Sequence, residues 1–440
     1  MTEERPNSHW ASVSLGDVVT LINGRAYKQP EMLPEGTPIL RIQNLNGGSR
    51  WFYSNLALPA EKYCHPGDLL YAWSATFGPY IYSGPKAIFH YHIWNVLPSV
   101  AIDKRFAFYE LLRVTDQIKS AAHGVAMPHI TKAGMEAWPL LLPPLAEQRR
   151  IADKLDSVLA RVDAVNTRLA RVASMLKRFR QSVLAAASSG KLTEEWRGSN
   201  EPPLWEATTV GEVAAVGTGS TPLRSNSEFF AATGTPWVTS AATGQPVINS
   251  AGEYVTKAAI AAHRLKRYPI GTLVVAMYGE GKTRGQVSEL GIEATVNQAC
   301  AAVVVNESLM VRTFVKRALQ ANYMEMREMA EGGNQPNLNM AKVKGFTLPK
   351  PPLEEQAEIV RRVDLLFGYA ERLEARLQAA QTTAERLTPA LLAKAFRGEL
   401  VPQDPNDEPA SALLKRLAAS CDATTAPVGG RRRKSSAEAG

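Results

Sequence analysis

The chain has 440 residues, 45% of them hydrophobic and 21% charged, and a formal net charge of +8 with a pI near 9.3. That length exceeds one ordinary core and predicts two or three domains, while the composition excludes a disordered polymer. The three cysteines (Cys64, Cys300, Cys421) lie far apart without CxxC spacing, which argues against a zinc knuckle or a disulfide framework. The positive balance permits a polyanionic partner. The opening MTEERPNSHW carries no apolar signal core, and no stretch approaches the ~20 apolar residues of a membrane span, so a cytoplasmic location is expected.

In chain order, residues 1–142 read as a mixed α/β globular segment, punctuated by glycine and proline, with strand-like runs TPILRIQ and DLLYAWS. Residues 143–192 read as one long helix and 193–202 as a linker. Residues 203–350 repeat the globular character, with TPWVTS and TLVVAMY as strands, and 351–400 form a second long helix. A closing segment, 401–420, holds a short helix in EPASALLKRLAAS, and 421–440 read as a disordered basic tail whose RRRK is solvated by default.

The two helical segments are copies. PPLAEQRRIADKLDSVLARVD begins at Pro143 and PPLEEQAEIVRRVDLLFGYAE at Pro351, an offset of 351 − 143 = 208 that holds without a gap to Leu192 and Leu400. Proline suits a first helical turn, where its missing N–H needs no partner. Glu147 or Glu355 then faces the positive end of the helix dipole, and Gly190 or Gly398 suits a left-handed helix end. Apolar residues step by four and three: Ile151, Leu155, Val158, Val162, Val165, Leu169, Val172, Leu176, Phe179 and Val183 in the first copy. In the second they are Ile359, Val363, Leu366, Ala370, Leu373, Leu377, Ala380, Ala384, Leu387 and Leu391. Such a sustained stripe predicts a coiled-coil seam. A stripe of this kind often packs only on its own domain, but equal length and phase favour mutual, antiparallel pairing about a pseudo-two-fold axis. Each helix would span roughly 65 Å at ~1.5 Å per residue. Pro389 is expected to kink or end the second helix about two turns early.

The globular segments repeat more loosely. Trp10 answers Trp205, Gly36 answers Gly234 and Gly67 answers Gly271, and HGVAMPHI with EGGNQPNL restores the 208 offset. Length is held where one rod must match its twin and drifts where loops can differ.

Chemical motifs are mostly rejected. AMYGEGKT fits a relaxed phosphate-loop pattern, but RGQVSELGIEATVNQ has no helical stripe to start a helix at the Lys-Thr. NQPN lacks the second proline and the aromatic of an amino-methyltransferase motif, so a turn before a helix is expected. His90 and His92 in FHYHIW are strand-spaced with no joining carboxylate or cysteine, which favours structural or contact histidines over metal ligands. The glycine-bearing loops LINGRAYKQ, LRIQNLNGGSRW, GTGSTPLRSNS and GEGKTRGQ carry side chains suited to base edges and phosphates. The expected contacts are Arg25, Lys28, Arg41, Gln43, Asn44, Ser220, Thr221, Arg224, Lys282, Thr283 and Arg284, although each is as readily a solvated turn residue.

The doubled PPLAEQRRI and PPLEEQAEI, together with KAFRGELVPQDPNDEPASALL, TRGQVSELGIEATVNQACAAV and WSATFGPYIYSG, resemble the DNA specificity subunit of type I restriction–modification systems along nearly the whole chain. The resemblance implies two target recognition domains, each reading half of a split asymmetric site. It implies spacer helices that set the unread gap and dock two methyltransferase subunits, which use S-adenosylmethionine. Two restriction/translocase subunits, which use ATP and Mg2+, complete the implied complex. The chain itself is expected to be non-catalytic, without metal or cofactor. The competing readings are a methylation-only or fused restriction–modification enzyme, and a coiled-coil scaffold that binds no DNA.

Overall fold

A computed structural model describes residues 9–74, 76–121, 130–198, 204–279, 282–329 and 337–425. The chain divides into two compact units, residues 1–168 with 380–440, and residues 169–379. Each unit therefore combines one globular segment with parts of both long helices.

In the first unit one sheet orders Val19–Asn23, Ile93–Pro98, Leu69–Ala72 and Gly78–Ile81, all antiparallel. A second sheet orders Phe52–Ser54, Thr37–Leu40, Ala87–Phe89 and Tyr63–Cys64, with Thr37–Leu40 parallel to Ala87–Phe89. The second unit repeats the plan. Ala214–Thr218, Cys300–Val305, Leu273–Ala276 and Val287–Leu290 form the first sheet, with Val247–Ile248 added at its edge. Thr235–Val238 lies parallel to Thr295–Val296 in the other. The four runs read as strands from sequence all contribute one.

The long helices run Leu145–Ser188 and Leu353–Phe396, 44 residues each, or ~66 Å. In the first unit the start of one helix (Ile151, Ala152, Leu155) and the end of the other (Leu392, Ala395) share a core with Leu21, Tyr71, Phe106 and Leu413. In the second unit the pairing reverses. Leu176, Leu169 and Val172 meet Ala370 and Leu377, while Val183 joins Ile359, Val363 and Phe367 in the domain core. The two helices thus pair antiparallel, and the fold is α+β with an internal pseudo-two-fold repeat.

The seam differs in detail from the expected stripe. Ile151, Leu155, Val162, Leu176, Ile359, Val363 and Leu377 are buried, and Val158, Leu169 and Leu366 are half-buried. Leu373 is 50% exposed, however, and Val165, Phe179, Ala380 and Leu387 also face outward, whereas Phe367 is buried. In the second helix the alternate position has moved one residue on, to Phe367, Glu374 and Gln381. An apolar side chain next to the seam is indistinguishable by period from one in it, and here Arg180 decides the phase. Its guanidinium pairs with Glu374 at 3.0 and 2.9 Å and lies over Phe367 at 4.7 Å.

Pro389 does not end the second helix, which continues to Phe396. The missing N–H costs one backbone bond, and the core contacts of Leu392 and Ala395 beyond it offset that loss. The last helix spans Ala410–Thr425, so residues 421–425, expected in a disordered tail, are helical. RRRK lies outside the described residues, as do HGVAMPH (123–129), EGGNQP (331–336) and Glu280–Gly281 of the rejected phosphate loop. The element after Thr283 is the strand Val287–Leu290, paired antiparallel to Leu273–Val275, and not a helix.

Candidate nucleic-acid interface

The residues shared by both helix openings hold each helix to its own globular segment. Gln148 accepts the Asp103 amide at 2.8 Å and donates to the carbonyls of Ala101 and Pro143 at 3.0 and 2.9 Å. Gln356 accepts the Val311 amide at 2.7 Å and donates to the Pro351 carbonyl at 2.8 Å. The indoles of Trp10 and Trp205 donate to Glu147 and Glu355 at 3.1 and 3.0 Å. Both glutamates and both glutamines are buried, so the repeated signature is architectural. Gly190 and Gly398 both adopt positive φ, 76° and 75°, beyond the helix ends.

At the far end of each sheet two loops cross. In the first unit the loop after Val19–Asn23 passes over the turn 90–92. The Arg25 amide donates to the Phe89 carbonyl and the Tyr91 amide to the Arg25 carbonyl, both at 3.1 Å. A Cβ on Gly24 would stand 2.3 Å from the His90 carbonyl oxygen, so only glycine fits. The second unit has the same crossing, where a Cβ on Gly219 would stand 1.5 Å from the Val296 carbonyl oxygen. Each turn also hangs from the parallel strand beside it: the His90 amide donates to Leu40, and the Asn297 amide to Val238, both at 2.9 Å.

These crossings gather some of the expected contact residues. Arg25 is held by Glu31 at 3.1 and 2.7 Å and lies over Tyr27. That pair raises the Arg25 pKa and holds the Glu31 carboxyl below its usual range, the hydrogen bond being the main cause of both. Arg41 lies over Phe52, as does Arg50, while Lys28 is exposed. Gln43 donates to the Arg50 carbonyl at 3.0 Å, and Asn44 donates to Gly48 and Arg50 at 3.3 and 2.9 Å, so both side chains shape their own loop. In the second unit Arg224 pairs with Glu253 at 3.2 and 3.1 Å over Phe230 and Trp237. Thr221 donates to Gln298, and Ser220 Oγ is buried without a hydrogen-bond partner among the described residues. Lys282, Thr283 and Arg284 lie apart, on the hairpin beside Tyr323 and Arg327. Tyr323 donates to the Lys282 carbonyl at 2.7 Å and Arg327 to the Arg284 carbonyl at 3.1 Å. Lys177, Gln181, Lys282, Gln320 and Arg327 line a cleft there.

The turn 90–92 holds residues that were expected to lie along a strand. His90 and His92 do not share a strand; they flank a tight turn with ring centroids 5.0 Å apart. Tyr91 sits 3.9 Å from the His92 ring, and Trp73 stands 5.2 Å from His92, donating its indole N–H to the Tyr91 carbonyl at 2.9 Å. Burial, then the neighbouring His92 and Arg41, push the His90 pKa down to about 4, so its ring is neutral at physiological pH. The signal available in the sequence was the run of four aromatic or histidine residues, FHYH, at Phe89–His92. Among the described residues no group of histidine, cysteine and acidic side chains is placed to hold a metal ion. No described helix is long and apolar enough to cross a membrane.

Two globular segments of one design carry unlike side chains at equivalent loop crossings, and each packs on both of the paired long helices, which defines an internally duplicated protein. Comparison with known proteins makes the class specific. The family described as "Type I restriction modification DNA specificity domain" matches residues 7–174 and again 202–380. The chain is 27% identical to the type I restriction enzyme EcoBI specificity subunit of Escherichia coli over 93% of this chain and 92% of that one. It is 28% identical to the StySPI specificity subunit of Salmonella potsdam over 93% and 95%. A solved chain of a type I R-M system, from work on complex assembly and conformational transition, shares the fold. Its TM-score is 0.70 at 21% identity, over 90% of this chain and all of that one. The chain belongs to the type I restriction modification DNA specificity family, and its function is that of the DNA sequence specificity subunit of such a system.

Proposed function

We propose that this chain reads a split, asymmetric DNA target, one half-site per globular segment, and holds the other subunits of a type I complex to that site. The observation that carries this reading is the contrast at the crossings: the backbone plan is the same in both halves, and the exposed residues on it differ. A protein reading a palindrome would need like residues at like positions. The spacer helices, ~66 Å long, are ample for half-sites about one duplex turn apart, separated by ~34–36 Å, and would set the unread gap. The proposed division is 1–142 and 203–350 for target recognition, 143–192 and 351–400 for the spacer, 193–202 for a linker, and 401–440 for the closing segment and tail. Two methyltransferase subunits supply S-adenosylmethionine chemistry and two restriction/translocase subunits supply ATP- and Mg2+-dependent work, in the cytoplasm. The chain is then non-catalytic. Co-expression with the neighbouring methyltransferase, followed by mapping of methylated adenines, tests this. The expected mark is bipartite with unlike halves and vanishes when this chain is deleted; an unsplit palindromic mark would refute the reading.

A further inference from the structure

We propose that the tip of one turn reads a base pair in each half-site, Gln298 oriented by Thr221 in the second half and Tyr91 in the first. The inference rests on the split-target reading above and names where the discrimination resides.

The two tips occupy equivalent positions. Each follows the strand parallel to the domain's Thr-Pro strand, each is suspended from that strand by a 2.9 Å amide bond, and each is clamped by a glycine crossing. Tyr91 and Gln298 are both exposed at that point. The backbone that aims them is fixed by the sheets, which is the condition for a base contact to discriminate rather than adapt.

The neighbouring arginines are less suited to the task. Arg25 and Arg224 are each engaged in a two-point pair with a carboxylate, Glu31 and Glu253. Their forks are therefore not open for a guanine edge. Gln298 is different. The Thr221 hydroxyl donates to its Oε1, and among the described residues no protein group takes the hydrogens on Nε2. The amide is thereby oriented, with a donor pair left for an acceptor-bearing base edge such as purine N7 or guanine O6. Tyr91 offers no such pair. Its ring packs on His90 and His92, and its carbonyl is held by Trp73, so it presents an apolar face and one hydroxyl, suited to a thymine methyl.

The test uses the full chain with its methyltransferase partner, methylome mapping in cells, and binding to duplexes varied one base pair at a time. Gln298→Ala is expected to relax preference at one base pair of one half-site by about tenfold to a hundredfold, leaving the other half-site intact. Thr221→Val should relax the same base pair, and the double variant should be no worse than Gln298→Ala. Gln298→Glu should shift preference towards cytosine, whose amino group donates, a gain that misfolding does not produce. Tyr91→Ala should act only on the other half-site. Uniform weakening across all duplexes, or unchanged preference in folded variants, would overturn the proposal. If the wild-type chain marks no split site, the functional reading itself fails, and that result is separable from a split mark indifferent to Gln298.

Discussion

The twin glutamates at the helix openings provide a controlled comparison inside one molecule. Glu355 is bound by Thr193 Oγ1 at 2.7 Å, Arg197 Nη1 at 2.5 Å and the Trp205 indole at 3.0 Å. Glu147 keeps only the Trp10 indole at 3.1 Å, and its Oε1 is buried with no hydrogen-bond partner among the described residues. Replacing Glu355 by Gln leaves the Arg197 guanidinium, 14% exposed, without its counter-charge. Breaking a buried pair from one side costs about 3–5 kcal/mol, and the remaining Thr193 and Trp205 contacts place the expectation near the lower end, about 3 kcal/mol. Glu147→Gln removes a buried charge that, among the described residues, has no cationic partner at hydrogen-bond distance and keeps an acceptor for Trp10, so its effect should stay within about 1 kcal/mol. Urea denaturation of both variants measures the difference. The sign with pH follows from burial, which raises the Glu147 pKa. The folded state then holds that proton more tightly than the unfolded chain. Its contribution is full below the unfolded pKa and is lost as pH rises through the folded one. Wild type should therefore gain on Glu147→Gln as the pH falls from 7 towards 5. Equal costs for the two substitutions, or a pH trend of opposite sign, would refute the reasoning.

Gln356→Ala should cost about 2 kcal/mol, since it strands the half-buried Val311 amide and the buried Pro351 carbonyl; thermal unfolding with hydrogen exchange at Val311 reports it. Gly219→Ala forces a methyl against the Val296 carbonyl and should abolish reading of one half-site alone, visible as a methylation mark that is specific at one end only. Phe367→Ala removes the ring held between Arg180 and Arg317, which stand 4.7 and 4.8 Å from its centroid, and should lower stability by about 3–5 kcal/mol in denaturant titration. A loss under 1 kcal/mol would mean that the two guanidinium stems alone close that gap.

The architecture was legible because the 208-residue repeat is rigid in length where the helices run, and because period and capping chemistry need no tertiary context. The strand runs were legible for the same reason. The seam phase was not: Leu366, Leu373 and Leu387 compete with Phe367 for the same face, and only the Arg180–Glu374 pair across the helices settles which is turned inward. The contact candidates were chosen by residue type. That found the loop crossings through Arg25, Thr221 and Arg224, but it could not foresee that Glu31 and Glu253 engage the arginines. It also passed over the turns 90–92 and 297–299, whose placement depends on strands roughly fifty to eighty residues away in sequence.

The core of the first unit places Leu15 and Leu21 in one cluster with Leu392, Ala395, Ala410 and Leu413. A nascent chain therefore cannot complete this earliest-made core until almost all of it has left the ribosome. Premature termination between the second globular segment and Leu392 would release a product whose leading half lacks part of its core, its greasy interior accessible to proteases and chaperones. Synthesis through Leu413 thus becomes a precondition for a durable reader, and copies that stop short of it are exposed to removal by their own unfilled interior.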